Sequence, residues 1–230
     1  AMRSARLLAD STGKLNGALS RLASGSKIVS PQDDAAGLAV ATKFDAQISR
    51  NNAASNNVSS ALSYSQTQDG FLGKVSKALD RMSELMNLAN DATKSTNDKA
   101  NYNTEFTDLK NYISDLGTKE FNGVSLFDGS GLAVTKDSEG NTWTLNASDL
   151  NDTDITSVIA SGFTVTSTMS TLTTSIENVS THRAQVGGNI QRLNLTNEQL
   201  GILSENLQAS VSRIKDVDVA SESTQFARYN

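Results

Sequence analysis

Two adjacent carboxylates, Asp33 and Asp34, follow the only proline of the chain in the stretch SPQDDAAGLAVATKF. Carboxylates at this spacing can accept hydrogen bonds at the start of a helix, where the helix dipole favours negative charge. Ser30 is typical of a helix N-cap, and Pro31 of a first helical residue, whose missing N–H costs nothing. Asp33 lies three residues after the cap, the spacing of a capping box. We therefore expect a helix that begins at Pro31.

Other residue types that carry out chemistry are sparse. The single histidine, His182, lies within a helical pattern between Thr181 and Arg183, where a packed or solvated role is expected. The absence of cysteine excludes disulfides, thiol nucleophiles and thiolate metal sites. Neither an H-E-x-x-H spacing nor a calcium-loop spacing occurs, and the glycine-rich FDGSGL lacks the Lys-Ser or Lys-Thr of a phosphate loop. The sequence predicts no enzyme activity, cofactor or metal.

Composition narrows the class of protein further. The chain has 230 residues, of which 20 are basic and 25 acidic, giving a net charge of −5. Without a basic run, this balance argues against a nucleic-acid partner. No apolar run is long enough to cross a membrane, and the first residues lack the apolar centre of a secretory signal. The hydrophobic content of 37% favours a thin helical packing over a thick layered core.

Apolar residues at spacings of three and four predict long helices. A first helix covers residues 4–24 with Gly25 as its C-cap, a long one runs from Pro31 to about Lys94, and a shorter one covers 102–117. On the long helix, Ser55, Ser65 and Asp69 interrupt the apolar face. The final segment has a near-heptad stripe that favours a coiled partner, the long helix. Its members are Met169, Leu172, Ile176, Val179, Val186, Ile190, Leu193, Leu200, Leu203, Leu207, Val211 and Ile214, with Arg183 and Asn197 in stripe positions.

Between these helices, residues 121–166 change character and alternate short apolar runs with Gly, Asn and Asp. We expect a hairpin around Ser138, Glu139 and Gly140, a further strand in SVIASGFTVTS, and a small core anchored by Trp143. The predicted fold is mainly α with a small β insert. It is an elongated antiparallel bundle of long helices, a coiled-coil-like rod, with a small β-rich outer region. The expected parts are 1–120, 121–167 and 168–230.

Three segments resemble one known family. RLASGSKIVSPQDDAAGLAVATKF is similar to the N-terminal signature of bacterial flagellins, and EFNGVSLFDG is similar to their T-x-FNG-x-x-LL segment. SRIKDVDVASESTQFARYN resembles their C-terminal signature SRI-x-D-x-D-x-A-x-E. The three segments occur in the family's order and frame the whole chain. Family members begin with a further segment of the form MA-x-x-INTN and end with a further helix, so we expect a chain truncated at both ends.

The resemblance implies a structural subunit of the flagellar filament that serves swimming motility. Such a subunit is exported unfolded, secreted without a cleaved signal peptide, and polymerised outside the cell. The implied partners are other flagellin subunits, an export chaperone and the filament cap. The helical ends would form the inner tube of the filament, and the β insert would face solvent.

The resemblance also implies two groups of site residues. Asp33, Asp34 and Gly37 would form an axial subunit contact, although a helix start with closely packed alanines explains the same residues. Family members that the innate flagellin receptor recognises have an Arg, a Leu and a Glu that match Arg81, Leu85 and Glu105. The alternative is that Leu85 packs in the apolar stripe and Arg81 lies on a solvated face.

Two other functions remain open from the residues alone. A flagellin-like surface protein could bind a glycan through its outer region, but Trp143 and Tyr64 are too few and too far apart for a sugar-stacking platform. A hook–filament junction protein would share the helical ends. The combination of the DDAAG and FNG segments favours flagellin.

Overall fold

The computed structural model describes residues 2–150, 153–160 and 165–229. It confirms a mainly helical fold with a small β insert. The helices are α1 (Met2–Ser24), α2 (Ala35–Ala89), α3 (Thr96–Gly117), α4 (Thr153–Ala160), α5 (Val165–Lys215) and α6 (Val219–Tyr229). The strands are β1 (Glu120–Phe121), β2 (Val124–Ser125), β3 (Ala133–Thr135) and β4 (Thr142–Thr144). No helix among the described residues is both long enough and apolar enough to span a bilayer.

The chain divides into two compact units. Unit 1 combines the residues up to 54 with 137–139 and those from 199 onward, and unit 2 combines 55–136 with 140–198. Each unit therefore joins an early part of the chain to a late part. The division at residues 120 and 167 that the sequence suggests stays a prediction.

Within unit 2, the buried side chains of the two long helices repeat every seven residues. Along α2 the burial alternates between steps of three and four, and along α5 four apolar residues follow one another at intervals of seven. The buried residues that follow this repeat are Val58, Ala61, Ser65, Gln68, Leu72, Val75, Leu79, Met82 and Met86 on α2, and Leu172, Val179, Val186 and Leu193 on α5. This is the periodicity of a coiled-coil seam. The near-heptad stripe that the sequence predicts is confirmed.

Buried polar side chains of unit 2 bind the backbone of the connecting segments. The Gln68 amide donates to the carbonyl of Leu126 at 2.6 Å, and the Tyr64 hydroxyl donates to that of Ser125 at 2.7 Å. Asn189 accepts from the backbone N–H of Asn146 and donates to its carbonyl, both at 3.3 Å. Backbone groups outside helices and sheets need partners when they are buried. These buried polar side chains therefore hold the β insert against the helices.

Two short hairpins form the insert. Phe121 pairs with Val124 across a two-residue turn in which Asn122 and Gly123 have φ values of 52° and 76°. Positive φ at both turn positions is typical of the tight turns that match strand twist. The second hairpin pairs β3 with β4, and Gly140 has a φ of 84° in its connection, as the sequence predicts. Trp143 is buried there, with the Arg192 guanidinium 4.0 Å from its ring centre.

The structure differs from the sequence prediction at several elements, and α2 ends at Ala89, before the predicted end near Lys94. Helix α3 begins at Thr96, before the predicted residue 102, because Ser95 and Asp98 form a reciprocal capping box. The strand predicted in SVIASGFTVTS is wrong for residues 165–167, which belong to helix α5, and for residues 157–160, which belong to helix α4 with Ile155 and Val158 buried one turn apart. Residues 161–164 of that segment lie outside the described residues. The final helix is interrupted at 216–218, between α5 and α6.

The seam predicts a large difference between two leucine truncations. Leu72→Ala removes a fully buried side chain and is expected to lower the free energy of unfolding by about 2 to 5 kcal/mol. Leu195→Ala removes a side chain that is 65% exposed and is expected to change it by about 0.5 kcal/mol or less. Denaturant unfolding followed by Trp143 fluorescence measures both. Equal effects of the two substitutions would contradict this placement of the core.

Candidate functional site

The first acid of the DDAAG stretch closes a turn ahead of α2 in unit 1. The Asp33 carboxylate accepts hydrogen bonds from the backbone N–H groups of Val29 at 3.0 Å and Ser30 at 2.8 Å. Its own N–H donates to the Ser30 carbonyl. The backbone donors hold the pKa of the Asp33 carboxyl below its ordinary value. Asp33 and Ser30 thus interact at the predicted spacing, but the turn they form does not continue as a helix.

The second acid starts the helix. Asp34 accepts a hydrogen bond from the N–H of Gly37 at 2.8 Å, and its carbonyl accepts the first helical bond from Leu38. Asp34 is therefore the N-cap of α2. The predicted helix start at Pro31 is wrong, because the chain uses two capping residues in succession and the second one determines where α2 begins.

Gly37 lies where a larger residue would displace this cap. A Cβ atom on Gly37 would collide with the Asp34 carboxylate and lie 3.1 Å from Ile28 Cδ1. The position of the Asp34 carboxylate thus gives a local reason for a glycine at position 37. Both carboxylates remain exposed to solvent.

The turn ahead of α2 is joined to the turn after α5. The N–H of Lys27 donates to the Lys215 carbonyl at 2.6 Å, and the N–H of Val217 donates to the Gly25 carbonyl at 3.1 Å. Helix α1 packs along α6, and Arg21 donates to Glu222 at 2.7 Å. The Glu222 carboxylate is nearly buried, which makes this pair the most enclosed charge interaction at the turns. The sequence gives no signal for these contacts, because they join residues about 190 positions apart.

The predicted receptor residues Arg81 and Glu105 meet on the surface of unit 2. Arg81 Nε donates to Glu105 Oε1 at 2.7 Å, and a second guanidinium nitrogen donates to Glu105 Oε2 at 3.2 Å. Arg81 also binds Glu84 at 2.9 Å. These hydrogen bonds lower the pKa of Glu105 and raise that of Arg81. Both partners keep 45% of their side-chain surface exposed.

Leu85, the third member of that group, does not share this surface. It lies one helical turn after Arg81 and is fully buried. The structure thus brings Arg81 and Glu105 together and places Leu85 in the core beside them. This placement agrees with the packing alternative for Leu85.

Helix α1 carries leucine side chains that α6 leaves exposed. Leu7 and Leu8 are 70% and 71% exposed, and Leu19 is 51% exposed. Leu8 and Leu19 belong to the predicted stripe of this helix, whereas the fully buried position is Ala18. Exposed apolar residues grouped on one element are typical of an interaction surface.

No three His, Asp or Glu side chains of the described part of the chain are placed to hold a metal ion together. Trp143 and Tyr64, the aromatic residues considered for a glycan platform, are both buried.

Comparisons with known proteins agree with the sequence signatures. The family model for the bacterial flagellin N-terminal helical region matches residues 1–132, and that for the bacterial flagellin C-terminal helical region matches 169–230. A flagellin of Halalkalibacterium halodurans is 34% identical over 93% of this chain and 82% of the relative. A flagellin of Listeria monocytogenes is 30% identical over 91% of this chain and 81% of the relative.

Two further comparisons cover less similar proteins. A 30.7 kDa flagellar filament core protein of Treponema maltophilum is 27% identical over 97% of this chain and 86% of the relative. The crystal structure of Bacillus cereus flagellin matches 67% of this chain and 88% of its own at 25% identity, with a TM-score of 0.46. The family models and the two relatives of 30% identity or more carry the assignment: the chain belongs to the bacterial flagellin family, whose members are structural filament proteins and not enzymes.

Proposed function

We propose that this chain polymerises with further copies of itself into the extracellular flagellar filament, and that the apolar face of α1 is one of the contacts. The observation that carries this proposal is the exposure of Leu7, Leu8 and Leu19 on α1, a helix that α6 covers only in part. Burial of exposed leucine side chains is favourable, by about 25 cal/mol per Å² of apolar surface. A second copy supplies that burial, and the subunit gains stability on assembly by mass action.

A second subunit contact in this proposal is the turn that contains Asp33, Asp34 and Gly37. Both acids are exposed after their backbone partners are counted, so each has acceptor capacity left for a neighbouring subunit. Their local capping role and an axial contact are compatible. The preceding residues Gly25 and Lys27 are held by backbone bonds with Val217 and Lys215, which fixes the start of the segment that leads into this turn.

We further propose the route and the transient partners that the family resemblance implies. The chain is secreted without a cleaved signal peptide, with an export chaperone before the channel and the filament cap after it. A chain without cysteine forms no disulfide during unfolded passage. The many Ser and Thr residues of α2 and α5 give these helices a modest intrinsic stability, since hydroxyl groups compete for backbone hydrogen bonds.

Recognition by the innate flagellin receptor is a second proposal, and it rests on the Arg81–Glu105 pair. The pair presents one cation and one carboxylate at fixed separation on an exposed surface. Leu85 would act in this proposal by supporting Arg81 from the core rather than by touching the receptor.

The assembly proposal is tested on this chain extended at both ends with the terminal segments of the Halalkalibacterium halodurans flagellin. Elongation on sheared filament seeds is measured by sedimentation and light scattering. We expect the extended chain to elongate and the Leu7→Asn/Leu8→Asn variant to lose most of its elongation rate, because the α1 face no longer gains from burial. Tyr112→Asn, at a residue 42% exposed on α3, is the matched control.

A folded extended chain that never elongates would refute the filament role of this chain. Elongation of the Leu7→Asn/Leu8→Asn variant at the normal rate would refute the α1 contact alone. Circular dichroism of each variant establishes that it is folded.

The axial contact is separated from the capping role by Asp34→Asn. Asparagine caps a helix about as well as aspartate, so the free energy of unfolding is expected to change by less than about 0.5 kcal/mol. Loss of the charge is expected to slow elongation several-fold in the same seeded assay. Gly37→Ala, which displaces the cap, is expected to destabilise the fold by about 1 kcal/mol. If Asp34→Asn elongates at the normal rate, Asp34 acts only as the N-cap of α2 and the axial contact is refuted.

The receptor proposal predicts that Arg81→Ala raises the half-maximal concentration for receptor activation about tenfold, as loss of one anchoring arginine does. A cell-based reporter of the receptor measures this concentration. The control variant Lys119→Ala/Asp115→Ala removes another exposed ion pair and is expected to have little effect. Equal responses to the two variants would contradict a specific role of Arg81.

A further inference from the structure

Three cross-helix contacts in unit 2 recur at a constant interval. Ser55 donates to Asn197 at 2.7 Å, Arg183 donates to Asp69 at 2.9 Å, and the Ser83 hydroxyl lies 3.5 Å from the Met169 sulfur. Both series advance in steps of 14 residues, from 55 to 69 to 83 on α2 and from 197 to 183 to 169 on α5. The helices are therefore antiparallel, and the contacts lie two heptads apart.

These residues belong to a row that directly flanks the buried seam on each helix. The members repeat every seven residues; on α2 each directly follows a buried residue, and on α5 each lies three or four residues from one of the buried apolar residues. On α2 the row is Ser55, Leu62, Asp69, Ser76 and Ser83, and on α5, in the antiparallel direction, it is Asn197, Ile190, Arg183, Ile176 and Met169. Arg183 is exposed, and the other nine are partly buried. Flanking positions of this type determine partner choice and orientation in coiled coils.

The chemistry of the two rows matches in the observed register. Ser55 is level with Asn197, Asp69 with Arg183, and the register places Leu62 level with Ile190 between them. A shift of one heptad in either direction destroys the match. It places Asp69 level with Ile190 in one direction and with Ile176 in the other, and in the second case Arg183 is level with Leu62.

The buried apolar residues of α5 do not make this distinction by themselves. Leu172, Val179, Val186 and Leu193 repeat every seven residues with similar side chains, so a shift of one heptad brings one of them to the level of the next. A partly exposed ion pair adds little stability. A charge placed against an isoleucine at an interface loses both its partner and part of its hydration, which disfavours the shifted register.

We propose that the flanking rows are a register code, with the Asp69–Arg183 pair as its main element, which selects one pairing of α2 with α5 from those that the seam permits. The same charges also determine which helix pairs with which, because Asp69 lies on α2 and Arg183 lies on α5. Two α2 helices, or two α5 helices, aligned at these positions would oppose like charges. Where many copies of the protein lie close together, this charge pattern favours pairing of α2 with α5 over pairing of two α2 or two α5 helices.

Engineered cysteine pairs can report the register, because the natural chain has no cysteine. Ser83→Cys/Met169→Cys joins residues that are in contact in the observed register. Ser83→Cys/Ile176→Cys reports the shifted register, since seven residues of helix separate the Cα atoms axially by about 10 Å, beyond disulfide reach. Each reporter chain is unfolded in denaturant, refolded by dilution and oxidised at low concentration, and its intramolecular disulfide fraction is measured.

The decisive variant is Asp69→Leu/Arg183→Leu, which keeps the interface packed while it removes the charges. We expect the shifted-register disulfide to rise several-fold in this variant, without a loss of thermal stability. The charge-swapped variant Asp69→Arg/Arg183→Asp is expected to restore the native ratio of the two disulfides. The control Arg81→Leu/Glu105→Leu removes an ion pair of similar exposure between α2 and α3 and is expected to leave the ratio unchanged.

An unchanged ratio in Asp69→Leu/Arg183→Leu would overturn the proposal. An equal rise in the control variant would also overturn it, because the effect would then reflect a general loss of surface charge. Measurement of the ratio after refolding makes the result a comparison of competing registers, and Trp143 fluorescence shows that each variant has regained its fold.

Discussion

The seven-residue repeat of buried side chains on α2 and α5 is the constraint on which unit 2 depends. A straight helix drifts away from such a repeat, so the two helices keep contact only by adjusting to each other. The seam is mainly apolar, and its two polar members, Ser65 and Gln68, lie on α2. Gln68 and the neighbouring buried side chains of Tyr64 and Asn189 bind the backbone at Leu126, Ser125 and Asn146. The same stretches of the two helices thus pair with each other and position the β insert.

The sequence predicts most of this architecture because its signals are local and periodic. Helix periodicity, the end of α1 at Gly25 and the hairpin turn at Gly140 depend on residues close in the chain, and all are found where the sequence places them. Helix α4 is missed because its β-branched residues favour a strand locally, whereas burial of Ile155 and Val158 on one face favours a helix. The Arg21–Glu222 pair is missed because no local pattern links residues that lie at opposite ends of the chain.

The DDAAG segment shows how a family signature and a local folding role coincide. Residue types alone identify a helix start, but they do not show which of two neighbouring acids acts as the cap. In the structure Asp33 accepts the hydrogen bonds of the turn, and Asp34 caps the helix. Residue 37 is a glycine because the Asp34 carboxylate occupies the space that a Cβ atom would need. For Arg81, Leu85 and Glu105, the family resemblance groups the three residues, but it does not predict that the leucine is buried in the core. Residues that a sequence comparison places in one group can therefore differ in their burial.

The backbone bonds between the turn at Gly25–Lys27 and the turn at Lys215–Val217 have a mechanical consequence. Each turn is the place where a helix of unit 1 ends and the chain changes direction. A force that pulls on α1 reaches the start of α2 along the chain, and it also reaches the end of α5 through two hydrogen bonds that join main chain to main chain. Tension applied at one end is therefore divided between two load paths before it enters the long helices.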